Sequence, residues 1–198
     1  MPIPDMTTWP GKTFTLALDL QAPVSGMDGD IVQIADRPCL LAVTEGANGT
    51  VLLRGGHAGG GWWVPYGPHR VTYADLNNNE WVASGPFSGC ELAVGQHGVD
   101  VFVAHISRES ASRTEARRAF EAWDTSAVWG RGQIRLPDDG ETSACYVFVW
   151  GTNPAALQIR RVDVRLTSAG TNGVIVNVAT IQLPPYTRGR SCPCCVIQ

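Results

Sequence analysis

One stretch of this chain carries the residue types needed for thiol chemistry. Ser84-Gly85-Pro86-Phe87-Ser88-Gly89-Cys90 ends in a cysteine, and His105 follows at the end of the apolar run Val101-Phe102-Val103-Ala104. A thiol attacks as its thiolate, and imidazole is the usual base that generates it. Glu91-Leu92-Ala93-Val94 reads as a strand, Gly95-Gln96-His97-Gly98 as a turn, and the segment 99–106 as a second strand rich in β-branched and aromatic residues. A hairpin closed over that turn sets Val94 against Val99 and Cys90 against Val103. His105 then shares the face of Val103, because strand side chains alternate, and Cys90 and His105 become diagonal neighbours. A slip of one residue would separate them onto opposite faces. Gly89 permits a tight backbone, so N–H groups around Ser88 and Gly89 can aim at a developing oxyanion. On the residues alone a plainer reading stays open: a cysteine packed as a small hydrophobe and a hydrogen-bonded histidine at a strand end.

The Ser88-Gly89-Cys90 triplet, with His105 about a strand pair later, resembles the catalytic core of bacterial glutamine-deamidating toxins. These are the cytotoxic necrotizing factors and the similar Burkholderia lethal factor. The lethal factor is also a stand-alone protein of about this size, and its histidine too is followed by Ile, here Ile106. The chemotaxis deamidase shares that fold and has a threonine six residues before its cysteine, as does the lethal factor. This chain has Ser84 there, keeping the hydroxyl and losing the methyl. The resemblance spans roughly positions 80–125, about a quarter of the chain.

The resemblance implies an effector that deamidates a glutamine of a host protein, either a small GTPase of the Rho type or a translation helicase. Cys90 is its nucleophile, His105 its base and Ser84 the group that orients His105. The thiolate attacks the carboxamide carbon, ammonia leaves with a proton from His105, and water hydrolyses the thioester. An amine in place of water would give a transglutaminase side activity. The scheme needs no metal and no cofactor. Two other readings remain: a different Cys–His hydrolase such as a protease, and a non-enzymatic β-sandwich binding protein. For a protease, neither a peptide groove nor a third Asn or Asp is assignable.

The elements that must hold these residues are mostly strands. At 198 residues, with 17% charged residues and 22 glycines, the composition suits a turn-rich β protein with its own core. A net charge of −3 leaves no basic footprint for nucleic acid. The segment 13–20 alternates cleanly. Further strands are expected at 31–34, 40–44, 51–54, 143–150, 159–167 and 173–183. The segment 143–150 is apolar on both faces and so is expected to be central. The glycine-rich 55–61 reads as a loop, and Trp62, Trp63 and Tyr66 after it as core or as a wall facing substrate. A helix is expected over 113–123, with Ser112 and Glu115 as a capping box and Ala116, Phe120 and Trp123 on one face. The expected fold is α+β and mostly β, a central β-sandwich of mixed sheets with one or two flanking helices. It forms a single catalytic domain over 1–184, read as a monomer.

The remaining segment, 185–198, is a cysteine-rich tail ending Cys195-Val196-Ile197-Gln198, a prenylation box of the farnesyl type, with Cys194 and Cys192 beside it as acylation candidates. Two lipids anchor where one binds only marginally. A host cell would have to add them, so the expected location is inside a host cell, at a host membrane, reached without a secretory signal peptide. The cysteines are too scattered for a metal site, and a chain of this length has no need of a disulfide framework.

Overall fold

Apolar residues occupy both faces of several strands because the described residues form two sheets and three cores. The protein is described from a computed structural model, which covers residues 3–20, 24, 26–34, 40–56, 60–76, 81–87, 90–97, 100–107, 115–122, 143–151, 156–167 and 172–181. The strands are β1 (Thr13–Leu16), β2 (Ile31–Gln33), β3 (Leu40–Gly46), β4 (Thr50–Gly55), β5 (Gly61–Val64) and β6 (Val71–Asp75). They continue as β7 (Trp81–Phe87), β8 (Glu91–His97), β9 (Asp100–Ile106), β10 (Ser143–Trp150), β11 (Gln158–Leu166) and β12 (Asn172–Ile181). One α-helix, α1 (Glu115–Ala122), lies among the described residues.

Eight strands close a barrel in the order β1-β12-β11-β10-β7-β5-β3-β4, and the other four form a sheet in the order β2-β6-β9-β8. Both sheets are mixed. The parallel pairs are β1/β4 and β5/β7 in the barrel and β2/β6 in the open sheet. The chain is therefore mostly β, a sandwich of mixed sheets with a helix on the outside, and one of its two sheets curls closed. Closure through β1/β4 leaves the barrel without a free edge.

Strand alternation assigns each side chain to a core. Along β10, Ala144, Tyr146 and Phe148 fill the barrel with Phe14, Val51, Leu53, Trp63 and Trp81. Cys145, Val147 and Val149 point the other way, into a central core against Leu92, Val94, Val101 and Val103 of the open sheet. This two-sided burial is why 143–150 is apolar throughout. The far face of the open sheet carries Phe102, Ala104 and Ile106, and α1 covers it with Ala116 and Phe120. The positions 116 and 120 are one helical turn apart, so they share a face. The layers run barrel, open sheet, helix.

Several expectations need correction. The alternating 13–20 segment is a strand only to Leu16, after which Leu18–Leu20 form a 3-10 turn. The reason is a change of partner: Ala17 N–H still bonds to Leu53 O, but Leu20 N–H turns back to Ala17 O. The strands β5, β6 and β7 were not anticipated. The capping residue Ser112, Trp123, the glycine-rich 57–59 and the whole tail with Cys192, Cys194 and Cys195 lie outside the described residues.

Candidate active site

His105 lies in the middle of the open sheet, between Thr72 of β6 and Leu92 of β8. Its face is the one that packs on the barrel, so its ring meets β7 across the central core. Ser84 Oγ lies 3.0 Å from His105 Nδ1, and the same hydroxyl is 2.7 Å from Val64 O. A carbonyl can only accept, so the single Ser84 proton goes to Val64. Nδ1 must then be the donor to Ser84, and the neutral ring carries its proton on Nδ1. Nε2 is left with its lone pair, buried and without a hydrogen-bond partner among the described residues. That is the tautomer a general base needs.

The ring is further fixed by aromatic contacts. Phe87 stacks on it, with centroids 4.1 Å apart and planes at 16°, and Tyr66 approaches at 5.7 Å and 59°. Ser84 and Phe87 can both face His105 only because β7 is irregular between them. In a regular strand, residues three apart point to opposite faces. Here Val147 of β10 pairs with Ser84 and Cys145 pairs with Phe87, so β7 carries one extra residue. The bulge falls at Gly85-Pro86, where the peptide is cis and Gly85 has φ +154°. A Cβ at Gly85 would come within 2.5 Å of Tyr146 Cδ1. Glycine is required there by both space and backbone angle.

Cys90 immediately precedes β8 and is buried in the central core. The ladder pairs Val94 with Val103, not with Val99, and continues to His97 opposite Asp100. The expected turn at 95–98 is therefore wrong. Gly95, Gln96 and His97 stay extended and gain ladder partners in Phe102, Val101 and Asp100. The displacement is four residues, an even number, so the faces are unchanged. His105 pairs with Leu92, and Cys90 is two residues before Leu92 on the same side. Cys90 and His105 remain diagonal neighbours, with Ser107 rather than Val103 next in register opposite Cys90. Ser107 Oγ is 3.4 Å from Tyr66 OH and accepts from His69 N–H at 3.2 Å. Neither Cys90 nor Cys145 forms a disulfide. Ser88 and Gly89, the expected oxyanion positions, lie outside the described residues.

Burial alone lowers the His105 pKa from 6.5 to about 3, so the resting imidazole is neutral at physiological pH. No charge of a described residue offsets this. Among the described residues, no group of three or more His, Cys, Asp or Glu side chains is placed to hold a metal ion. The sequence brought Cys90, His105 and Ser84 into view and offered Tyr66 as core or as a wall facing substrate, and the structure sets Tyr66 against His105; Phe87, Thr72 and Ser107 it did not single out. Thr72 is fully buried opposite His105 and donates to Pro65 O at 2.5 Å, next to the carbonyl that takes the Ser84 proton. The one available signal was Gly85-Pro86 inside an apolar run, which marks a bulge as readily as a loop. No protein-family model matches the chain, and no curated protein matches its sequence.

Proposed function

We propose that this protein is a thiol hydrolase that deamidates a glutamine side chain of a host protein. The observation that carries the reading is the proton inventory at His105. Ser84 holds Nδ1–H, which leaves Nε2 as a bare acceptor on the face that also bears Cys90. In the reaction the Cys90 S–H bond breaks and its proton passes to Nε2, while the sulfur pair adds to the carboxamide carbon. The tetrahedral intermediate collapses with loss of ammonia, which takes that proton from Nε2. Water then gives its proton to Nε2, attacks the thioester and releases glutamate and the thiol. An amide becomes a carboxylate, and the target gains one negative charge. Rho-type GTPases and translation helicases are the targets that the motif resemblance suggests, and farnesylation at Cys195 with acylation at Cys194 or Cys192 would place the protein beside membrane-bound GTPases.

The test is incubation of the full chain with purified GTPases and helicases, read by peptide mass spectrometry. The expected result is the mass gain of amide-to-acid exchange at one glutamine, absent with Cys90→Ser and with His105→Ala. Chain cleavage in its place would make the protein a protease. A second reading has one observation in its favour: the full burial of His105 and its weak basicity suit a structural imidazole in a non-enzymatic binding domain. Under that reading His105→Ala leaves the alkylation rate of Cys90 unchanged.

A further inference from the structure

The imidazolium that must form on His105 has no described carboxylate to receive its charge. The groups facing the ring are Ser84 and Phe87 from β7, Thr72 from β6, Leu92 and Cys90 at β8, and Tyr66 after β5. None of them is a carboxylate. In catalytic pairs and triads of this kind, a third group commonly stabilises the imidazolium as it forms. Ser84 accepts from Nδ1 as a neutral hydroxyl and contributes only part of this.

We propose that Phe87 is a positioning residue of the dyad, whose ring face both fixes the His105 plane and stabilises the imidazolium formed when Cys90 gives up its proton. This rests on the Cys–His reading above. Three observations carry it. The stack is close and nearly parallel, at 4.1 Å and 16°, so the negative face of the phenyl ring lies against the imidazole. The pair is buried, Phe87 at 2% and His105 at 1% exposure, where a cation–π contact is strongest. The bulge at Gly85-Pro86 is what turns Phe87 toward His105 at all; without it the ring would point into the barrel. The same short segment thus sets Ser84 on Nδ1, sets Phe87 on the ring face and leads three residues later to Cys90.

The experiment replaces Phe87 in the full chain with mono-, tri- and pentafluorinated phenylalanine. These keep the shape of the ring and progressively reverse its facial charge. The readout is the rate of Cys90 alkylation by iodoacetamide against pH, with thermal melting to confirm folding. The expected result is a stepwise fall, about tenfold at neutral pH for the pentafluoro ring, with melting little changed. Phe87→Tyr retains most of the rate and Phe87→Leu loses it. A rate independent of fluorination overturns the inference while leaving the dyad intact, provided that His105→Ala still slows alkylation. If His105→Ala has no effect in the natural chain, the Cys–His reading falls, and this inference with it.

Discussion

At the scale of single residues, His105 ties stability to the same burial that sets its chemistry. Its folded pKa is about 3 against an ordinary 6.5. Between those values the unfolded chain binds a proton that the native protein does not, so stability rises with pH there. The contribution is complete above pH 6.5 and is lost as pH falls toward 3, at ~1.4 kcal/mol for each unit of pKa difference. Urea unfolding across that window is expected to show the loss, and His105→Gln to flatten it; a slope unchanged in the variant would remove His105 as the cause. Ser84→Ala has a different signature. It strands Nδ1–H and Val64 O in the core, costing about 1–3 kcal/mol of stability. It also releases the tautomer, so under the proposed deamidase reading kcat is expected to fall by about 10²-fold with KM unchanged. Ser84 was legible only through the position at which the motif resemblance implies a hydroxyl, and Cys90 and His105 from residue type and strand spacing. Their shared face survived a wrong register because face depends only on whether a shift is odd or even. The aromatic contacts were not legible, since nothing local distinguishes Phe87 from any other core phenylalanine.

At the scale of elements, β7 shows why a breaker signal misled. Gly85-Pro86 punctuates the segment 81–87, and on local grounds the pair reads as a break in the strand pattern. Tertiary pairing overrides this: β7 is held between β10 and β5, and the glycine and proline are absorbed as a bulge. The strand β6 is only five residues long, and Thr72 and Asp75 interrupt its apolar positions, so periodicity was too brief to reveal it. By contrast β10, β11 and β12 are long, with one register shift between Asp163 and Val164, and their positions were readable to within a residue or two. The bulge predicts a specific failure. Gly85→Ala places a Cβ 2.5 Å from the Tyr146 ring and 3.0 Å from Cys145 O, at a backbone angle side chains rarely adopt. The expected cost is about 2–3 kcal/mol, read by thermal melting. The folded fraction should also lose Cys90 reactivity, because any relaxation of the bulge turns either Ser84 or Phe87 away from His105. Full reactivity in folded Gly85→Ala would show that the bulge is not what aligns the two.

At the scale of the whole molecule, the candidate site belongs to neither sheet. His105 and Cys90 come from the open sheet, Ser84 and Phe87 from the barrel, and the central core is the surface along which the two meet. Barrel closure was beyond the sequence because the closing contact, β1 beside β4 in parallel, and the β5/β7 pairing join strands that are not consecutive. The layered arrangement separates stability from chemistry. Phe120 packs on the outer face of the open sheet, away from His105, so Phe120→Ala opens a cavity costing about 3–5 kcal/mol. Yet the folded protein should alkylate at Cys90 at nearly the natural rate. Val103 is smaller, but it lies in the central core two residues before His105 on the same face. Val103→Ala should cost less stability, about 2 kcal/mol, and change the Cys90 rate more, because the gap opens between the two layers whose spacing sets the dyad. The ranking of the two variants by melting temperature should therefore be the reverse of their ranking by reactivity. The same order in both measurements would mean that Cys90 responds only to global stability and that the sheet–barrel contact has no separate hold on the site.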